Sequence, residues 1–112
     1  MFYSNFNVEH ISPYQLNEKM ESGEDIFLLD VRTPGEHAAQ AIKGSHLIPL
    51  QALGDRMHEL PKDKEIIVYC RVGNRSAYAS VFLARQGFNV KNLEGGIMLW
   101  NMAGNAAVTK AS

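Results

Sequence analysis

Two nearly uninterrupted apolar runs, Ile26-Phe27-Leu28-Leu29-Asp30-Val31 and Ile66-Ile67-Val68-Tyr69-Cys70, constrain the fold of this chain more than any other feature. A strand with one wet face alternates apolar and polar residues, whereas an unbroken run suits a strand covered on both faces. Parallel sheets flanked by helices provide that environment, so the runs predict an α/β layer structure with a mainly parallel sheet.

Helical signals fall between the runs. Ser12-Pro13-Tyr14-Gln15 predicts a helix start, with Ser12 as N-cap, Pro13 where its missing N–H costs nothing, and Gln15 completing a capping box. Leu16 and Met20 share a face of that helix, and Gly23 marks its stop. Thr33-Pro34-Gly35-Glu36 repeats the capping logic and opens a short second helix. Leu53, Met57 and Leu60 recur at helical spacing before Pro61. Ser76 to Gln86 reads as a helix with Ala77, Val81 and Ala84 on one side and Gly87 closing it. Shorter strand signals lie at Val8 to Ile11, Ser45 to Pro49 and Val90 to Leu93. Gly95-Gly96 predicts a tight turn into a last helix over Gly96 to Met102, with Trp100 in the core or walling that helix.

The 112 residues suit a single domain, 1–112. Its core is expected over about 6–104, with a flexible tail at 105–112 where the composition turns small and polar. Lys and Arg (11) nearly balance Asp and Glu (12), and the formal net charge is -1. That balance gives no global footprint for nucleic acid or an anionic membrane, so neither is expected as a partner. No apolar run approaches the roughly 20 residues of a spanning helix, and the first residues lack the basic start and apolar stretch of a signal peptide. One cysteine excludes an intramolecular disulfide and a multi-cysteine zinc site, and it suits a reducing, cytoplasmic setting. His10, His37, His46 and His58 show no metal-ligand spacing, so surface or packing roles are expected, with no metal and no organic cofactor.

The chemistry concentrates in Cys70-Arg71-Val72-Gly73-Asn74-Arg75-Ser76, between the most apolar strand and the clearest helix. Ligands of open α/β sheets bind outside the carboxyl ends of the strands. A loop there can turn several N–H groups inward, and the following helix adds its positive end. Gly73 allows backbone conformations that other residues resist, and Arg71 and Arg75 add local positive charge. A cysteine in that field is expected to have a lowered pKa and to act as a thiolate nucleophile. Arg75 is open to two readings, a substrate contact or a first-turn helix residue. Asp30, Arg32 and Glu36 are expected to be structural, Glu36 capping its helix and Arg32 pairing with a carboxylate. Four residues separate Cys70 from Arg75. The loop of cysteine phosphatases and related arsenate-handling enzymes is one residue longer, and the shorter cradle suits a single sulfur anion better than a tetrahedral phosphate.

Three segments, in order and spacing, resemble the single-domain rhodanese family over about nine tenths of the chain: Asp30-Val31-Arg32-Thr33-Pro34-Gly35-Glu36-His37, the Cys70–Ser76 loop, and Leu93-Glu94-Gly95-Gly96-Ile97 with Trp100. The resemblance implies a five-stranded parallel sheet with helices on both faces. It implies Cys70 as a persulfide carrier, with the loop N–H groups of Arg71, Val72, Gly73, Asn74, Arg75 and Ser76 as the anion cradle. It further implies a small anionic sulfur donor such as thiosulfate, docked with help from Arg71, and a cyanide, thiol or protein acceptor. A sulfur-relay module serving a partner protein is the alternative, and a phosphatase or arsenate reductase is disfavoured by the short loop. Gln40-Ala41-Ile42 and Gly44-Ser45-His46-Leu47-Ile48-Pro49 depart from the family pattern, so a local structural variation is expected there.

Overall fold

The structure, a computed structural model, describes residues 8–105. The expected tail therefore lies outside the described residues from 106 on, as does the start of the expected core at 6–7. Five strands form one sheet: β1 (His10–Ile11), β2 (Ile26–Asp30), β3 (His46–Leu47), β4 (Glu65–Tyr69) and β5 (Val90–Leu93). Their order is β1-β5-β4-β2-β3, and every pairing is parallel. The helices are α1 (Pro13–Glu21), α2 (Pro34–Ala39), α3 (Leu53–Arg56), α4 (Asn74–Arg85) and α5 (Gly96–Met102).

β4 shows why its sequence does not alternate. Ile66, Val68 and Cys70 join Leu29, Val31, Leu53, Leu60, Ala79 and Leu83 in the core beneath α3 and α4. Ile67 and Tyr69 join Ile11, Leu16, Leu28, Leu93, Ile97 and Trp100 in a second core beneath α1 and α5. Successive side chains point to opposite faces, and here both faces are dry.

Both capping boxes form. Ser12 Oγ accepts from Gln15 N–H while Gln15 returns a bond to Ser12 N–H, and Thr33 and Glu36 do the same at α2. Two helical readings need correction. α4 begins at Asn74 rather than Ser76. Its buried face is Ser76, Ala79, Ser80 and Leu83, while Ala84 is exposed. The reason is polar: Ser80 Oγ donates to the Ser76 carbonyl at 2.8 Å, so its hydroxyl is satisfied within the helix and can be buried on a face other than that of Ala77, Val81 and Ala84. The stretch around Leu53 is also not one helix. α3 spans a single turn between two 3-10 turns, Leu50–Ala52 and Met57–Glu59, with Leu53 and Leu60 buried.

The topology fixes where a site can form. From β2 the chain runs to β3 on one side of the sheet, and from β4 it runs to β5 on the other. The chain therefore reverses its direction of travel between β2 and β4, and the carboxyl ends of these two strands are where an open parallel sheet of this order places a ligand site.

Candidate active site

Cys70 directly follows the last residue of β4, and only 1% of its surface is exposed. Its Sγ receives the Gly73 N–H at 3.1 Å and the Ser76 N–H at 3.4 Å, with Ser76 Oγ at 3.3 Å. The N-cap position of α4 is Gly73, which has no side chain to satisfy the helix's first amides. Sulfur takes that place, so the positive end of a 12-residue helix faces Sγ. Gly73 holds φ +110°, a left-handed conformation that turns its N–H back toward the sulfur.

Two opposing effects act on the Cys70 thiol. Burial pushes its pKa up, but the Ser76 hydroxyl and the Ser76, Gly73 and Val72 N–H groups favour the thiolate and bring the pKa below the ordinary thiol value. Among the donors the Ser76 hydroxyl has the largest effect, although the sequence pointed only to the amide of that residue. We expect Ser76→Ala to slow iodoacetamide alkylation of Cys70 at pH 7 by about tenfold, as one charge-assisted hydrogen bond is lost. An unchanged alkylation pH profile in that variant would remove the hydroxyl from thiolate stabilisation.

Arg75, in the first turn of α4, extends to α2. Its two terminal nitrogens donate to the Glu36 carboxylate at 2.8 and 2.9 Å. The Arg75 guanidinium, opposed by burial and aided by the Thr33 N–H and hydroxyl, holds Glu36 at a pKa of about 2, against an ordinary 4.5. The folded value lies below the unfolded one, so this pair contributes stability above pH 4.5 that is lost as pH falls through about 2. With 28% of the Glu36 side chain and 37% of the Arg75 side chain exposed, solvent screening limits that contribution to about 1 kcal/mol. Glu36→Gln should cost about that much at pH 7 in urea melts and flatten the acid loss between pH 4.5 and 2. A variant that retains the wild-type acid slope would assign the slope to other carboxylates.

Asp30 lies fully buried at the end of β2 and is saturated with partners. Arg32 donates from its amide and guanidinium at 2.8 to 3.1 Å, and His37 Nδ1 lies 2.8 Å away. Arg32 continues to the Gln40 carbonyl at 2.6 Å and lies 5.4 Å over the Tyr69 ring. Tyr69 Oη in turn accepts the Ile42 N–H at 3.1 Å and meets Ser45 Oγ at 2.9 Å. The unusual segment around Gln40 to Ser45 is thus tied to the ends of β2 and β4 by Arg32 and Tyr69. His46 stacks on Phe27 with ring centroids 4.5 Å apart, and His10 Nδ1 lies 3.3 Å from Asn92 Nδ2.

The start of α5 closes the back of the loop. Ile97 N–H donates to the Cys70 carbonyl at 2.9 Å and Met98 N–H to the Arg71 carbonyl at 3.0 Å. The contact is possible because Gly96 has no side chain: a Cβ there would lie 2.4 Å from the Cys70 carbonyl oxygen. The carboxyl ends of β2 and β4 therefore carry two groups: Cys70 with Gly73 and Ser76, and Arg75 with Glu36, while Asp30 is paired with Arg32 at the end of β2. Arg71, Val72 and Asn74 of the loop are exposed. The arrangement can stabilise a thiolate and hold an anion against backbone amides.

Comparison with known proteins gives a consistent picture. The family model of the rhodanese-like domain matches residues 12–103. A sulfurtransferase of Allochromatium vinosum is 39% identical over 94 residues, covering 83% of this chain and 88% of that protein. The thiosulfate sulfurtransferase GlpE of Ectopseudomonas mendocina is 37% identical over 93 residues, covering 82% and 84% respectively. The crystal structure of a rhodanese-related protein from Thermoplasma volcanium superposes with a TM-score of 0.84 at 36% identity, covering 90% of this chain and 98% of that one. Among the described residues, no helix is long and apolar enough to cross a membrane.

Proposed function

The chain belongs to the rhodanese-like domain family, and on that premise we propose that it transfers a sulfane sulfur from thiosulfate to a thiophilic acceptor through a persulfide on Cys70. The observation that carries this reading is the environment of Sγ, a buried sulfur facing the amides of Gly73 and Ser76 and the start of a helix. In the first half-reaction the Cys70 thiolate attacks the outer sulfur of thiosulfate. A new sulfur–sulfur bond forms, the donor's sulfur–sulfur bond breaks, and its electron pair leaves with sulfite. Charge balances, since the enzyme keeps one negative charge, now on the terminal sulfur of the persulfide. The amides of the Arg71–Ser76 loop hold that terminal sulfur, and Arg71, exposed in that loop, docks the anionic donor. In the second half-reaction cyanide or a thiolate attacks the terminal sulfur and returns Cys70 as a thiolate.

No separate general base is needed when the thiol is already ionised. Two features weigh against phosphate chemistry. Arg75 is engaged with Glu36, and the loop is one residue short for a tetrahedral anion. A reducing compartment such as the cytoplasm would keep the single cysteine in its working form.

Intact-mass spectrometry before and after thiosulfate treatment tests the reading. We expect a gain of one sulfur atom, about 32 Da, removed by cyanide with release of thiocyanate. No gain on protein whose cysteine is shown to be reduced would eliminate thiosulfate as donor.

A further inference from the structure

Two different helices hold the two ends of the sulfur loop. At its start, the Ile97 and Met98 N–H groups of α5 bind the Cys70 and Arg71 carbonyls at 2.9 and 3.0 Å. At its end, Glu36 of α2 holds Arg75, whose neighbour Ser76 meets Sγ through its N–H and its hydroxyl. A side-chain contact joins the same two helices. Asn101 of α5 donates from Nδ2 to Gln40 Oε1 at 2.9 Å, across 61 positions of sequence. Gln40 is the C-cap of α2, with its N–H on the Glu36 carbonyl and its own carbonyl accepting from Arg32 at 2.6 Å. It lies in the segment that departs from the family pattern.

Apolar packing does not seat α2. None of its six residues is buried, and the chain re-enters the core only at Ala41 and Ile42. Polar contacts fix the helix instead: the Thr33–Glu36 capping box, His37 on Asp30, Glu36 on Arg75 and Gln40 on Asn101. The first two tie α2 to itself and to β2, the third to α4 and the fourth to α5. Together these contacts close a ring. It runs from Cys70 and Arg71 to α5, across Asn101 and Gln40 to α2, and back to the loop through Glu36 and Arg75. Resting on the sulfurtransferase reading above, we propose that Gln40 and Asn101 are positioning residues for sulfur transfer. They form a clasp that keeps α2 and α5 at the spacing at which the Gly73 and Ser76 N–H groups meet the Cys70 sulfur. The clasp acts through the helices on either side of the loop, not on the reacting atoms.

The test is a double-mutant cycle of Gln40→Ala and Asn101→Ala in the full chain. It is read by the pH profile of Cys70 alkylation and by single-turnover sulfur uptake from thiosulfate. Each single variant should move the alkylation midpoint upward by about half a pH unit, at most about a threefold loss of thiolate at neutral pH, within what one amide–amide hydrogen bond can contribute. The midpoint is the readout and not the rate, since a looser loop also admits the reagent. Uptake at saturating thiosulfate should fall about two- to threefold in each single variant. The half-saturating concentration should stay within about twofold, because Arg71 is untouched. The double variant should lose no more than either single one, as coupled partners do. Gln40→Glu keeps an acceptor oxygen at the same reach and should hold both readouts near wild type. If Gln40→Ala does not fold, Asn101→Ser should show the shift that Gln40→Glu lacks. A wild-type midpoint in the single variants, even with lower stability in urea, would overturn the proposal. Losses that add in the double variant would do the same, as would a Gln40→Glu protein impaired as much as Gln40→Ala. A wild-type protein that takes up no sulfur takes down the sulfurtransferase reading instead, and the alkylation midpoints then still decide whether the clasp sets the loop.

Discussion

Gly96→Ala is expected to destabilise the protein by about 4 kcal/mol, among the largest effects a single methyl group can have here. Gly96 has φ +60°, where an alanine carries a strain of roughly 1 to 2 kcal/mol. The added Cβ would also lie 2.4 Å from the Cys70 carbonyl oxygen and 2.5 Å from that of Arg71. Both are backbone atoms of the sulfur loop, so neither can swing aside as a flexible side chain would. Relief requires α5 to move off the strand end, which lengthens the Ile97 and Met98 amide bonds, each worth about 1 kcal/mol net. For a domain of this size the loss corresponds to a fall in Tm of roughly 15 to 25 °C, readable by calorimetry. Gly44→Ala is the matched control: φ is +83° but the added Cβ meets open space, so about 1 to 2 kcal/mol of strain alone should appear. Equal losses in the two variants would refute the account based on carbonyl contact.

Cys70→Ser should lower thiosulfate-dependent thiocyanate formation by at least about 10⁴-fold, to background. A serine hydroxyl keeps its proton at neutral pH even with the Gly73 and Ser76 amides beside it, and its oxygen is a poor nucleophile toward sulfur. The same amides can hydrogen-bond the hydroxyl, so stability should remain within about 1 kcal/mol of wild type. Activity and stability are thereby separated at one position. Residual turnover within tenfold of wild type would place the nucleophile elsewhere, although the chain has no other cysteine.

The parts of this molecule legible in its sequence are those written in contiguous residues. The Ile66–Cys70 run announced a strand buried on both sides, and the two capping boxes marked the starts of α1 and α2 within a single tetrapeptide each. The loop could be read because Cys70, Gly73 and Ser76 are near neighbours in the chain. What escaped depends on contacts between distant residues. Glu36 and Arg75 are 39 positions apart, and periodicity does not indicate that one helix supplies the carboxylate for another. Gly95-Gly96 suggested a turn, but only the docking of α5 on the Cys70 carbonyl explains why the second glycine tolerates no side chain. His37 lies on α2 and reaches back to Asp30 on β2, a pairing that single-residue reasoning about histidines had no means to propose. The buried face of α4 is not legible from polarity, because the Ser80 hydroxyl donates to the Ser76 carbonyl and the Ser76 hydroxyl meets the sulfur, so both serines are satisfied out of water.

The strand order also governs how the protein comes together in time. β2 and β4 lie side by side in the middle of the sheet and pair over five successive residues, Ile26 to Asp30 against Glu65 to Tyr69. β1 has its partner at the opposite end of the sequence, with His10 beside Asn92, 82 positions away. Closing so long a loop before any contact rewards it is entropically unfavourable, so early β1–β5 pairing is disfavoured. The central strands can associate first and bring the β4 end, with Cys70, into place. The first strand of the chain is then among the last to find its seat.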